Sequence, residues 1–207
     1  MSAAVILAGG KSARLGRDKA GEVLLGRSLL QRAVDAFAGL VHEYVIVSAV
    51  GQALPAVEVD APLLTAEDVY PETGPLGGIY TGLSAMTSSQ AVVVACDMPL
   101  LQPALLSELL RLAPAYDAVV PLNGLPEPLC AAYSRACLAA VRKRLEAGLY
   151  KTTGFLDDVR TLYLQPEAWR AFDAAGLSFQ NLNEEADLRR IEGLLNSGLG
   201  SRSRLRD

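Results

Sequence analysis

The sequence has little of two residue types on which many enzymes and metal sites depend. Its single histidine, His42, lies between a predicted helix and a predicted strand, so we do not expect a histidine to act as catalytic base. The three cysteines are an odd number, and none belongs to a C-x-x-C pair. Because all three lie among apolar neighbours, we interpret them as buried side chains, and we expect no structural disulfide and a reducing, cytoplasmic compartment.

Long apolar runs and an excess of positive charge are also missing. No run approaches the roughly 18 residues needed to cross a bilayer, and the chain reaches AAVILAGG without a basic leader region or a cleavage site. We therefore expect a soluble, unexported protein. The 19 Lys and Arg residues are outnumbered by 23 Asp and Glu, for a formal net charge of -4. This acidity argues against broad binding of nucleic acid or anionic membranes, so any anion site must be local.

Short apolar runs alternate with longer amphipathic ones, a pattern that predicts an α/β fold. Unbroken runs of Val, Ile and Ala are typical of strands covered on both faces, and intervening helices indicate a mostly parallel sheet in a Rossmann-like three-layer sandwich. Strands are predicted at residues 4–8, 43–50 and 90–97, with further apolar runs at 117–121, 128–133 and 161–165. Helices are predicted at 28–40, 78–86, 102–113, 134–148 (capped by Ser134 and stopped by Gly148) and from Glu184 onward, and residues 62–78 are predicted to be a loop. We expect one domain over 1–196 and a disordered tail over 197–207.

The loop after the first predicted strand gathers positive charge beside glycine. Its cations are Lys11, Arg14, Arg17 and Lys19. Gly9 and Gly10 let the main chain approach a ligand closely, and ligands of open α/β sheets bind beyond the carboxyl ends of the strands. The loop is therefore a candidate polyphosphate site, and the alternative is a tight turn with a solvated basic face. It is neither a Walker A loop, whose first glycine would fall on Val5, nor a G-x-G-x-x-G loop.

Two other polar positions stand at predicted ends of elements. Asp97 ends an apolar run and precedes Met98 and Pro99, so its carboxylate is either a Mg2+ ligand at the rim of the sheet or the cap of a turn. Asn183 precedes two glutamates and is typical of a helix N-cap.

Residues 7–20, LAGGKSARLGRDKA, resemble the signature of the molybdenum cofactor guanylyltransferases, L-A-G-G-x-S-x-R-[ML]-G-x-D-K-A, at every specified position. The segments TGPLGGIYTGL, VVVACDMPLL and NLNEEADL resemble three further parts of that family, so the resemblance covers residues 4 to about 188. It implies a sandwich of the nucleotidyltransferase type. It also implies a Mg2+-dependent enzyme that transfers GMP from GTP to the terminal phosphate of molybdopterin and releases pyrophosphate.

The resemblance further implies roles for individual residues. Arg14, Lys19 and Asp97 would be catalytic, the two cations beside the pyrophosphate and Asp97 as the Mg2+ ligand. The nucleotide would contact Leu7, Ala8, Gly9, Gly10, Lys19, Ser48, Asp68 and Asp97. Glu67 is the alternative to Asp68, and Ser48 stands where the family often has asparagine. Asn181 and Asn183 would face the acceptor, which gives Asn183 a second interpretation beside the N-cap.

Two other functions stay open. Ser48 lacks the paired donor and acceptor of an asparagine amide, which favours a cytidylyltransferase or transfer of a nucleotide to another phosphorylated small molecule. A non-catalytic carrier that hands the cofactor to an apoenzyme would not need Arg14, Lys19 and Asp97 together. Besides GTP and molybdopterin, the partners that the resemblance implies are molybdenum-insertion proteins and apo-molybdoenzymes.

Overall fold

The structure, a computed structural model, describes residues 1–9 and 19–196. Its strands are β1 (Ser2–Leu7), β2 (Val23–Leu24), β3 (Arg27–Ser28), β4 (Glu43–Ser48), β5 (Leu63–Glu67), β6 (Gln90–Ala95), β7 (Ala118–Asn123), β8 (Leu125–Pro126), β9 (Cys130–Ser134) and β10 (Thr161–Leu164). Its α-helices are α1 (Leu29–Asp35), α2 (Pro75–Ala85), α3 (Pro103–Leu112), α4 (Cys137–Glu146), α5 (Pro166–Trp169) and α6 (Glu185–Asn196). Gly10, Arg14 and the expected tail 197–207 lie outside the described residues.

One sheet dominates the fold, and most of its strands are parallel. The strand order is β10-β7-β9-β6-β1-β4-β5, and β8 is attached to β7. Among the pairs along this order, only those made by β9 are antiparallel. The predicted mostly parallel sheet is therefore confirmed. β1, β4 and β6 carry the unbroken Val, Ile and Ala runs and lie together in the sheet, because strands buried on both faces cannot be at its edge.

Helices cover both faces of the sheet, as the three-layer prediction requires. Ala4 and Ile6 of β1 pack into one core cluster with α1 and α3, whereas Ala3, Val5 and Leu7 pack into a second cluster with α2 and α4. This alternation follows from the two-residue period of a strand. Because β1 has apolar side chains on both faces, it joins the two cores.

Helix α2 lies unusually close to β1 because glycine faces the strand. A Cβ atom on Gly82 would lie 2.3 Å from Cγ1 of Val5, which is completely buried. A Cβ atom on Gly78 would lie 3.2 Å from Cδ2 of Leu7. Larger side chains would push the helix away from the strand, so these glycines set the position of the α2 N-terminus at the end of β1.

A third, smaller core holds the C-terminal segment against the rest of the molecule. Leu182 and Ile191 are buried there together with Leu24, Leu29, Leu100 and Leu177. The main-chain N–H of Leu182 also donates a hydrogen bond to the carbonyl of Asp97, at 2.8 Å. The residues on either side of Leu182 are therefore held beside the carboxyl end of β6.

The predicted loop at 62–78 is wrong at both ends. Residues Leu63–Glu67 form β5, which pairs only with β4 along the strand order and is exposed over most of its length. An exposed edge strand has no continuous buried run, so its sequence lacks the pattern that marks the central strands. Helix α2 begins at Pro75, after Gly74 with a φ of +67°, three residues earlier than predicted.

Other predicted boundaries shift by a few residues. Helix α1 is capped by Ser28 but ends at Asp35, and β6 ends at Ala95, two residues before Asp97. Ser134 was predicted as a helix cap, yet it belongs to β9, where it pairs with Gln90, and α4 begins at Cys137. The predicted stop at Gly148 is confirmed, since this residue follows α4 with a φ of +70°.

All three cysteines are buried, and within the described residues none forms a disulfide. Burial raises the pKa of Cys137 to about 12, so its thiol is protonated at neutral pH. In the same parts of the chain, no helix has both the length and the apolar character needed to cross a membrane.

The approach of α2 to β1 generates a stability prediction. Gly82→Ala should destabilise the protein by about 1 to 3 kcal/mol, because the new methyl group overpacks against Val5. Gly193→Ala is the matched control, since a Cβ atom at this α6 position meets nothing within 4 Å and alanine is the better helix former. Urea unfolding of both variants measures the difference. Equal midpoints for Gly82→Ala and the unmodified protein would contradict the close packing.

Candidate active site

A cavity of about 690 Å³ opens at the carboxyl ends of four neighbouring strands, β6, β1, β4 and β5. This volume is within the range of small-molecule sites. The sequence-predicted residues that line it are Leu7, Ala8, Gly9, Lys19, Ser48, Asp68, Asp97 and Asn181. The fold therefore brings together residues from both ends of the chain. Gly10 and Arg14 lie outside the described residues.

Lys19 connects two of the other predicted residues. Its Nζ atom donates a hydrogen bond to Oδ2 of Asp97 at 2.8 Å and another to Oδ1 of Asn183 at 2.8 Å. The Lys19 and Asp97 side chains are only 16% and 17% exposed, so solvent screens the ion pair poorly. Lys19 is the first residue of a short 3-10 turn (Lys19–Gly21). The next residue, Ala20, is completely buried, which anchors the main chain from which the Lys19 side chain extends.

The second carboxylate oxygen of Asp97 has a different environment. Oδ1 is buried and has no hydrogen-bond partner among the described residues. A buried, unpartnered carboxylate oxygen is energetically unfavourable unless a ligand satisfies it. Within residues 1–9 and 19–196, no group of three or more His, Cys, Asp or Glu side chains is placed to hold a metal ion. The single unpartnered oxygen of Asp97 fits an ion such as Mg2+ that takes one carboxylate and fills its other positions with substrate and water oxygens.

Asn183 is positioned by its main chain, which leaves its side chain available to Lys19. The N–H groups of Asn183 and Glu184 both donate to Oδ2 of Asp187, at 3.0 and 3.1 Å. These contacts, the one from Asn183 above all, hold the pKa of Asp187 below its ordinary value. Because Asp187 satisfies these N–H groups and the Asn183 amide contacts Lys19, the N-cap interpretation of the Asn183 side chain is wrong.

The opposite side of the cavity is formed by Ser48 and Asp68. The Asp68 N–H donates to the Ser48 carbonyl at 2.8 Å, which extends the β4–β5 pairing to the edge of the cavity. Asp68 lines the cavity, whereas its neighbour Glu67 is exposed and accepts a hydrogen bond from the Gly51 N–H at 3.0 Å. The structure therefore places Asp68, rather than Glu67, at the cavity.

Charge is arranged asymmetrically along the cavity. Lys19 and Asp97 lie at the end of β6, and Asp68 lies at the end of β5. Three strand spacings separate β6 from β5, so the two strand ends are roughly 14 Å apart. Within the described residues, this arrangement favours an elongated ligand with its anionic end beside Lys19 and its neutral end toward Asp68.

Sequence reasoning missed Gln52, which connects the two loops on one wall of the cavity. Its Nε2 donates to the carbonyl of Ala8 at 3.1 Å, and its Oε1 accepts from the N–H of Ala49 at 2.9 Å. Pro71, Glu72 and Leu129 also line the cavity and were not predicted. Gln52 and Leu129 stand outside the segments that carry the resemblance, so no local pattern marks them.

Comparisons with known proteins identify the family of this chain and several similar proteins. A family model described as a MobA-like NTP transferase domain matches residues 4–159. A "probable molybdenum cofactor guanylyltransferase" of Chloroflexus aggregans is 34% identical over 202 residues, which cover 94% of this chain and 95% of that protein. A molybdenum cofactor guanylyltransferase of Desulfosudis oleivorans is 32% identical over 198 residues, 94% of this chain and 96% of the relative.

A solved structure is similar over nearly the whole chain. It is molybdopterin-guanine dinucleotide biosynthesis protein A from Archaeoglobus fulgidus, with 25% sequence identity and a TM-score of 0.79. The match covers 95% of this chain and 100% of that one. The predicted nucleotidyltransferase type of sandwich is confirmed by this similarity.

The Lys19–Asp97 ion pair can be tested without any ligand. In a double-mutant cycle of Lys19→Met and Asp97→Asn, we expect a coupling of about 1 to 3 kcal/mol in the free energy of unfolding, because either single change leaves a poorly solvated group without its partner. Arg144→Met and Asp158→Asn form the control cycle, since that ion pair is 28% and 34% exposed and should couple by less than about 1 kcal/mol. Additive effects at Lys19 and Asp97 would mean that the pair does not exist in solution.

Proposed function

Because the chain belongs to the MobA-like NTP transferase family, we propose that it transfers GMP from GTP to the terminal phosphate of molybdopterin and releases pyrophosphate. The relatives described above are named molybdenum cofactor guanylyltransferase, and they are similar to this chain over nearly their whole length. This supports the choice of nucleotide and acceptor. The observation that carries the proposal is the contact of Lys19 Nζ with Asp97, beside the unpartnered Oδ1, at one end of the cavity.

The reaction needs charge stabilisation more than it needs a base. The acceptor phosphate is already an anionic nucleophile at neutral pH, so the barrier is the repulsion between two polyanions. An oxygen of this phosphate forms a new bond to the α-phosphorus of GTP. The bond from that phosphorus to the bridging oxygen breaks, and its electron pair leaves with pyrophosphate. In this proposal Lys19 and Arg14 offset the charge that builds on the departing pyrophosphate.

Asp97 is the residue that would hold Mg2+. Its buried Oδ1 would be the protein carboxylate oxygen for this ion, whose other positions substrate and water oxygens would fill. When bound, Mg2+ supplies Lewis-acid stabilisation of phosphate charge. Lys19 meanwhile contacts the other oxygen of the same carboxylate and keeps its orientation fixed.

The remaining residues orient the two substrates. The main chain of Leu7 to Gly10, with Ser48 and Asp68, would contact the nucleoside and phosphates, while Asn181 and Asn183 would face molybdopterin. Molybdenum-insertion proteins and apo-molybdoenzymes are the proposed protein partners. We place the reaction in the cytoplasm, in line with three buried cysteines that form no disulfide in the described chain.

A cytidylyltransferase is the second candidate, favoured by Ser48 in the wall of the cavity. Its side chain offers one hydroxyl, which lacks the paired donor and acceptor of an amide.

A non-catalytic carrier is the third candidate. It would have no use for a poorly solvated lysine and carboxylate at the anionic end of the cavity.

Pyrophosphate release with each of the four NTPs separates these functions. With Mg2+ and molybdopterin present, we expect release with GTP and far less with CTP, and no release when molybdopterin is left out. Preference for CTP would contradict the guanylyltransferase proposal. The carrier would bind nucleotide and release no pyrophosphate with any NTP.

Removal of the proposed metal ligand tests the role of Asp97. Asp97→Ala should lower GTP- and Mg2+-dependent turnover by about two to four orders of magnitude, since the ion loses its protein ligand. Circular dichroism should show an intact fold. Asp158→Asn, a change in an exposed ion pair, is the control and should keep its activity. Near-normal turnover by Asp97→Ala would exclude this carboxylate as the metal ligand.

A further inference from the structure

The β5–α2 loop, residues 68–74, carries Asp68 at the end of the cavity opposite Lys19. Hydrogen bonds connect this loop to Thr81 of helix α2, a residue that is only 3% exposed. The Thr81 hydroxyl donates a hydrogen bond to Oδ1 of Asp68 at 3.0 Å. It also accepts one from the N–H of Val69 at 3.1 Å. The hydroxyl thus uses its one donor hydrogen and one of its two acceptor lone pairs on the loop.

The two oxygens of Asp68 consequently differ. Oδ1 receives the Thr81 hydroxyl and also the N–H of Tyr70, at 3.0 Å. Among the residues that the structure describes, none donates a hydrogen bond to Oδ2. Two donors on one oxygen fix the rotation of the carboxylate, so Oδ2 is the oxygen available to a ligand in the cavity that Asp68 lines.

A ligand group that binds to Oδ2 must donate a hydrogen bond to it. A carboxylate repels phosphate, and among the described residues that line the cavity the cation is Lys19, three strand spacings away at the end of β6. Asp68 therefore belongs to the nucleoside end, where a base N–H or amino group or a ribose hydroxyl can donate to it. Fixing the carboxylate before binding removes the cost of ordering it when the nucleoside arrives.

We infer that Thr81 is a positioning residue for nucleotide binding, which holds the Asp68 carboxylate so that Oδ2 accepts a hydrogen bond from the nucleoside. This inference rests on the proposed function. Leu76, Ile79 and Leu83 supply the apolar packing of α2 in the core, whereas the Thr81 hydroxyl makes its hydrogen bonds to the loop. The residue type is explained by the contact with the loop.

Isothermal titration with GTP and Mg2+ tests the inference in four variants, Thr81→Val, Thr81→Ser, Asp68→Ala and the double variant Thr81→Val with Asp68→Ala. We expect Thr81→Val to bind GTP about tenfold more weakly than the unmodified chain. Thr81→Ser keeps the hydroxyl and should bind within about twofold. Thr161→Val is the matched control, because its hydroxyl donates to the Leu156 carbonyl at 2.7 Å on β10, at the other edge of the sheet, and its loss should leave GTP affinity unchanged.

The double variant separates positioning from general damage to the cavity. If Thr81 acts through Asp68, adding Thr81→Val to Asp68→Ala should weaken GTP binding no further. A further loss of affinity in the double variant, or unchanged affinity in Thr81→Val, would overturn the inference while the unmodified chain still binds GTP. Failure of the unmodified chain to bind any NTP would overturn the proposed function, and the inference with it.

Discussion

A single ammonium group, the Nζ of Lys19, connects the parts of the site that lie farthest apart in the sequence. It contacts Asp97, which follows β6, and Asn183, which is 164 residues away along the chain. The charge pair that results is poorly solvated and leaves one carboxylate oxygen without a partner in the described structure. The proposed transfer between two phosphates needs positive charge held in place where solvent screens it poorly, and Lys19 with an ion bound by Asp97 would supply it.

The fold supports this contact at three places. The parallel order of β6, β1, β4 and β5 brings four loops to one edge of the sheet. Glycines in α2 let that helix approach β1, which places the β5–α2 loop and Asp68 at the same cavity. The small core around Leu182, with its hydrogen bond to the Asp97 carbonyl, holds the C-terminal segment close to the metal ligand proposed here. Stability and site geometry therefore depend on the same few contacts.

The sequence predicts the centre of the fold better than its edges. β1, β4 and β6 are recognisable because a strand covered on both faces must be apolar throughout, whereas the edge strand β5 has no such pattern. The cavity residues are predicted through the family resemblance, which indicates which positions line a site but not which atoms contact each other. Gln52 and Thr81 bond to groups 44 and 13 residues away, and no local pattern reveals pairings that only the folded sheet creates. The role of the Asn183 side chain could not be decided from the sequence either, since its contact with Lys19 exists only after folding.

The central claim is that Lys19 and a Mg2+ ion held by Asp97, together with Arg14, offset the repulsion between phosphates at the β6 end of the cavity. A crystal structure of the protein with GTP and Mg2+ tests it most directly. The account predicts phosphate oxygens within hydrogen-bond distance of Lys19 Nζ, an ion coordinated by Asp97 Oδ1 at about 2.1 Å, and the nucleoside beside Asp68. A nucleotide bound with its triphosphate away from Lys19 and Asp97, or in the reverse orientation, would contradict it.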